Sequence, residues 1–253
     1  MNSTTKNKST LLLNKFLKII LPIFFVLLLW ELLSLIVDNE FFLPGIKTTF
    51  LALINIVKST GFIKTVLISL LRVIAGILIG AIFGILLATV CHYFSIVNIL
   101  LAPIISIMKA TPVACIIVLL WISMNNTELA VFVVIMMVMP IVWQNVIDGY
   151  RAIDEDLIEV SEIFEFSFKK KLTVLVFPTL INYLIPAVIT SIGLAWKAEV
   201  AAEIMTNSNM GRLIYDFKTV SYDTASIFAW TVIIVTLSIL FEKTAKHLLR
   251  RLI

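Results

Sequence analysis

The sequence predicts an all-α integral membrane protein, a six-span bundle with one charged internal loop, and three observations carry that prediction. The 253 residues are 60% hydrophobic and only 14% charged, whereas soluble domains run near half apolar and a quarter charged. The apolar residues gather in runs of about 20 or more, the length a helix needs to cross a bilayer. The basic residues fall unevenly between successive connections, as they do where a membrane sorts the loops. No segment is polar enough to form a separate soluble domain, so residues 1–253 read as a single transmembrane domain.

The first span is "FLKIILPIFFVLLLWELLSLIV", residues 16–37. It follows a lysine-bearing start, exceeds a signal-peptide core and lacks a small-residue cleavage site, so it is expected to stay in the chain. The second, 65–91, places Gly76, Gly80, Gly84 and Ala88 four apart, which strips one helix face and lets another backbone approach. The third, 98–123, contains Pro103 and Pro112 and is expected to kink or break. Spans four, five and six cover 128–147, 179–205 and 224–242, leaving a loop over 149–178.

Six spans put both ends on one side. If that side is cytoplasmic, twelve basic residues lie inside: Lys6, Lys8, Lys15, Lys18, Arg151, Lys169, Lys170, Lys171, Lys243, Lys246, Arg250 and Arg251. Five lie outside or at the outer boundary, Lys47, Lys58, Lys64, Arg212 and Lys218, so the asymmetry places both termini in the cytoplasm.

Several chemistries are missing. There is no G-x-x-x-x-G-K-[ST] loop to hold a nucleotide, and His92 and His247 are the only histidines, both near span ends. Cys91 and Cys115 sit in apolar runs without disulfide or metal spacing and read as core thiols. Ionisable residues at bilayer depth are too few and scattered for an intramembrane enzyme. No catalytic, cofactor-binding or metal site is expected in this chain.

The loop is more informative. Between Asp154 and Phe166, Leu157, Ile158, Val160, Ile163, Phe164 and Phe166 recur at near-helical spacing, with Asp154, Glu155, Asp156, Glu159, Glu162 and Glu165 filling much of the remainder. Acids at the helix start suit its dipole. Helices that lie on membranes are basic on their polar face, whereas an acidic face with an apolar ridge suits a groove on a partner protein.

Here the chain resembles the permease subunits of binding-protein-dependent ABC importers, whose cytoplasmic loop reads E-A-A, three residues, G, nine residues, I-x-L-P. Glu159 takes the acid, Val160 and Ser161 the small positions, Glu165 the glycine, and Leu175, Phe177 and Pro178 the close. "FFLPG", "SLLRVIAGILIGAIFGILLA", "KATPVACIIVLLWIS" and "LAWKAEVAAEIM" resemble, in order, pieces of the nitrate/sulfonate/taurine branch. Two departures stand out: Val160 exceeds alanine, and Glu165 replaces a turn glycine. Glutamate tolerates positive φ poorly, so the helix is expected to run on, with its turn displaced towards Ser167.

The resemblance implies a type I ABC importer permease fold with a cytoplasmic coupling helix between spans four and five. It further implies a permease dimer of two copies, a separate cytoplasmic ABC ATPase holding ATP and Mg, and an external substrate-binding protein. The ATPase contact would fall on Glu159, Val160, Ser161, Ile163, Phe164, Glu165 and Pro178. For the translocation path the candidates are Lys109 beside Thr111-Pro112, and Trp196, Lys197, Glu199 and Glu203 in span five. Intramembrane charges are costly and point to function. Arg72 in span two reads as a snorkelling residue. Lys109 and Lys197 suit a small anionic solute while the acids argue against one, so sulfonates, nitrate and pyrimidine-type vitamin precursors stay open. The alternative is a self-sufficient secondary transporter or channel, using Lys109 and the span-five acids for ion coupling. Such proteins often show repeated halves, and none is found here.

Overall fold

A computed structural model describes residues 4–249. Arg250 and Arg251 of the basic C-terminal group lie outside the described residues, as do the side chains of Lys6, Lys8 and Lys15. Among the described residues every regular element is helical, and five helices are long and apolar enough to cross a membrane, or six spans with one bent pair counted as one. The contacts divide the chain into two compact units, one holding residues up to Thr60 with Asp216–Ile233, the other Gly61–Tyr215 with the chain from Ile234 onward.

In the first unit, α1 (Thr4–Val37) is followed by α2 (Ile46–Lys58), a helix too short to span and not foreseen. The "FFLPG" turn between them is pinned to α1. The Trp30 indole donates to the Pro44 carbonyl at 3.0 Å, the Ser34 hydroxyl to that of Leu43 at 3.0 Å, and the Ile46 N–H to Glu31 Oε2 at 2.9 Å. Glu31 thus satisfies one of the orphan donors that begin α2.

The second unit is centred on α6 (Asn126–Arg151), which packs along α3 (Phe62–Tyr93) and α9 (Phe177–Met205). The glycine stripe of α3 faces α6. A Cβ on Gly76 would lie 2.5 Å from Val134 Cγ1, one on Gly80 3.0 Å from Val138 Cβ, and one on Gly84 2.9 Å from the Met139 carbonyl. Such distances require glycine, and the gain is dispersion along two backbones in close contact. Ala88 continues the stripe and is fully buried, as are Val133, Val134, Val138 and Val142 of α6.

The third span is broken, as its prolines imply. α4 (Ser95–Ala110) and α5 (Val113–Trp121) meet at Thr111-Pro112 with a turn of 100°. Thr111 has φ −74° and ψ 126°, the extended conformation that a following proline enforces. Pro103 stays inside α4 without ending it. Cys115, expected in the core, is exposed on α5, whereas Cys91 is buried. α5 packs Ile116 and Ile117 onto Leu129, Ala130 and Val133 of α6 and Ala198 and Ala202 of α9.

Beyond α6 come α7 (Glu155–Ile163), α8 (Phe168–Lys171), a π-helical stretch Leu172–Val176, and α9. α10 (Asn209–Thr219), whose polarity conceals it from a hydropathy scan, and α11 (Thr224–Leu249) complete the chain.

Replacing Gly80 by Leu should overpack the α3–α6 contact and cost about 1–3 kcal/mol. Leu78, exposed on the same helix, should accept Ala within about 0.5 kcal/mol. Melting of the two variants in detergent checks both expectations.

Candidate functional site

Two sites stand out, one at the α7 loop and one inside the spans. α7 starts on Asp154, whose carboxylate accepts the Asp156 N–H at 3.0 Å as an N-cap does. It ends in a Schellman turn: the Phe166 N–H bonds the Ser161 carbonyl at 2.9 Å and the Glu165 N–H bonds that of Glu162 at 3.0 Å. The left-handed residue this turn requires is Glu165, with φ 46°. The displacement towards Ser167 therefore does not occur. Glutamate takes the glycine conformation, and Ser167 instead caps α8 by accepting the Lys170 N–H at 3.4 Å.

The loop is held to the following helix by the Lys171–Glu162 ion pair at 3.7 Å and by Lys170, 3.8 Å above the Phe166 ring. Ser161 faces inward and is buried. Beneath it lies a cavity of about 270 Å³ lined in part by His92, Tyr150, Ile158 and Leu175, with the His92 and Tyr150 rings stacked at 4.1 Å. Glu159 and Val160 are exposed, and at the helix end Ile163 and Phe164 are 77% and 70% exposed. Two large apolar side chains thus stand bare beside exposed acids at the end of α7. Pro178 does not join them; it sits in the first turn of α9, beyond α8 and the π stretch.

Inside the spans, Glu203 anchors a polar knot. Its carboxylate, with no exposed surface, accepts from the Ser69 hydroxyl at 2.8 and 2.9 Å, from Arg72 at 2.8 Å and from the Met210 N–H at 3.2 Å. Arg72 also donates to Thr127 at 3.1 Å, and Asn209 to Ser69 at 2.6 Å. The end of α9 repeats the Schellman geometry: the Ser208 N–H bonds the Glu203 carbonyl at 2.9 Å, with Asn207 at φ 52°. Gly211 lies so close that a Cβ there would be 2.0 Å from the Glu203 carbonyl carbon. Arg72, Ser69 and Asn209 were not foreseen as a group. The available signal was that an arginine and a glutamate, both inside apolar spans, are better paired than separate.

The remaining span residues divide by exposure. Trp196 and Glu199 are buried, and neither Glu199 oxygen meets a hydrogen-bond donor. Lys109, Pro112 and Lys197 are exposed. Lys109 stands in the last turn of α4, directly before the break. Among the described residues no group of three His, Cys, Asp or Glu side chains is placed to hold a metal.

Residues 76–253 match the model of the family described as "Binding-protein-dependent transport system inner membrane component". The chain belongs to that family. This permease is 23% identical over 232 residues to the putative aliphatic sulfonates transport permease protein SsuC of Bacillus subtilis, covering 90% of this chain and 83% of the relative. It is 29% identical over 209 residues to the nitrate import permease protein NrtB of Synechococcus elongatus, covering 78% and 74%. Its fold is similar to that in inward-facing structures of the MetNI methionine ABC transporter, with a TM-score of 0.59 at 16% identity over 75% of this chain and 93% of that one. The chain is accordingly the membrane-spanning permease component of a binding-protein-dependent ABC importer, a transport subunit and not an enzyme. The self-sufficient secondary transporter finds no support in these matches.

Two predictions follow from the geometry. Glu165→Gly should relieve the left-handed strain and stabilise the permease by about 1 kcal/mol, read as slower proteolysis between α7 and α8. Arg72→Met alone should cost about 3–5 kcal/mol by stranding a buried charge. Adding Glu203→Gln should return much of that loss, so that a double-mutant cycle in detergent shows strong coupling.

Proposed function

We propose that this permease carries a small anion into the cytoplasm, driven by an ATPase that grips α7. The observation that carries the coupling half is the bare apolar end of α7, Ile163 and Phe164, held out by a closed turn at the position where the family places its coupling helix. Glu159, Val160 and Glu165 flank that end, and Ser161 supports it from within. The ATPase, with ATP and Mg²⁺ in its own sites, draws two such helices together in a dimer of permeases. The spans then rock from inward- to outward-facing, which needs an element with two stable arrangements. The excess of basic residues on the loops sharing the termini's side supports a cytoplasmic placement of both termini and of α7.

The cargo half rests on other observations. The relatives are named for sulfonates, nitrate and bicarbonate, all anions. In this chain Lys109 stands exposed at the break between α4 and α5, and Lys197 is exposed on α9. Glu203 does not oppose this reading, because Arg72 neutralises it inside the unit. An external binding protein would select and deliver the cargo.

Co-purification tests the coupling. The tagged permease, solubilised gently from its native membrane, should retain a cytosolic ABC ATPase in equal proportion. Glu159→Lys and Phe164→Ala should each release it while leaving the melting temperature of the permease unchanged. A wild-type permease that comes out alone, or a partner indifferent to both substitutions, would refute the reading.

A further inference from the structure

The cavity under α7 has a wall that none of the functions above employs. Its volume is about 270 Å³, and Ile158, Phe168, Leu172, Leu175 and Val176 supply much of the lining. The buried hydroxyl groups beside them are already engaged. Tyr150 meets the Thr89 hydroxyl at 3.2 Å, Ser161 donates to the Ile158 carbonyl at 2.7 Å, and His92 stacks its ring on Tyr150. Sites for polar solutes aim a few free polar groups into an apolar pocket. This wall offers hydrocarbon instead, and the one ammonium group that lines it, Lys171, is only half-buried.

That lysine belongs to a run. Lys169, Lys170 and Lys171 make up most of α8 and lead through the π stretch into α9. Lys169 and Lys170 are exposed. Lys171 is shared with Glu162 at 3.7 Å, a pairing at the surface that is worth little. Tyr93, which also lines the cavity, closes α3 and is exposed. Tyrosines and lysines at the ends of spans sit level with lipid headgroups. Phe168, exposed on α8, brings the cavity to the surface among those lysines. An apolar cavity that opens beside a row of lysines fits a molecule with an anionic head and a hydrocarbon tail.

We propose that the cavity is a lipid site: an acyl chain of an anionic phospholipid enters beneath α7, and its phosphate rests on Lys169 and Lys170. The site rests on the cytoplasmic placement of α7 proposed above, because the cytoplasmic leaflet carries the anionic lipid. The tail leaves bulk lipid for an equally apolar wall, so the lysines supply the selectivity. The end of the chain lies under Ser161 and Ile158, on the inner side of the helix whose outer end is bare. An anionic lipid thereby props α7 from within.

The test places the full chain in nanodiscs of phosphatidylcholine. Trace phosphatidylglycerol or phosphatidylcholine is added, each with the same photoactivatable group at the end of one acyl chain. The phosphatidylglycerol probe should crosslink α7 and the π stretch about tenfold more than the phosphatidylcholine probe. Lys169→Gln with Lys170→Gln should remove most of that preference. Leu175→Trp, which fills the cavity, should abolish the crosslink, whereas Leu86→Trp, on an exposed face of α3, should leave it. Thermal melting checks that Leu175→Trp folds, and the lysine variant carries the test if it does not. Equal crosslinking by both probes, a preference that survives the loss of both lysines, or a crosslink unchanged in folded Leu175→Trp would overturn the lipid site. Removal of the crosslink by inorganic phosphate at constant ionic strength would overturn it too, in favour of a site for the free ion. Retention of the ATPase is scored separately on gently solubilised wild type. Its absence with the crosslink intact would strike the coupling reading alone, and its presence without the crosslink would strike the lipid site alone.

Discussion

Much of the larger unit depends on making one buried charge tolerable. Glu203 has no exposed surface in an apolar helix, and an unpaired carboxylate there would be prohibitively costly. Ser69, Arg72 and the Met210 N–H must all reach it. Those groups come from α3 and from the start of α10, so the charge sets the register of α3 against α9 and fixes the turn after Met205. Thr127 receives the other end of the arginine, and Asn126 donates to the Thr206 carbonyl at 3.0 Å, which ties α6 into the same knot. A salt bridge of this kind gives little net stability compared with apolar packing. What it gives is a set of bonds from α3 and α10 to one carboxylate of α9 that hold those helices in this register.

The glycine stripe supplies the stability that the knot does not. With Gly76, Gly80 and Gly84 opposite Val134, Val138 and the Met139 carbonyl, α3 and α6 share a long seam that is bare of side chains on the α3 side. In lipid the hydrophobic effect does not drive helices together, so close packing carries the association. Around α7 the chain passes through a cap, a left-handed glutamate, a short helix and a π stretch within a few turns, above a cavity. π segments are rare in helices and occur most often at functional sites.

The charges of α9 are sorted by face. Glu199 and Glu203 look into the unit, while Lys197 looks out. One helix thereby carries buried acids on one side and an exposed base on the other. The acids of α9 therefore do not share a surface with its lysine.

The sequence by itself determined which stretches are apolar enough to cross the membrane, where the third span breaks and where the charged loop helix lies. Each of these is local: hydropathy over about 20 residues, the clash of Pro112 with the residue before it, and a spacing of acids and apolar residues within one loop. It also named the glycine stripe, though not its partner. Tertiary structure decided the rest. Arg72 reads as a lipid-facing snorkeller until Glu203, 131 residues away, is placed beside it. Glu165 reads as a residue that displaces a turn, and the turn holds because its two hydrogen bonds and the pairing of Lys171 with Glu162 outweigh the strain of one left-handed residue. Local sterics and hydropathy act along the chain, whereas charge pairing acts through space and becomes legible only when distant helices stand side by side.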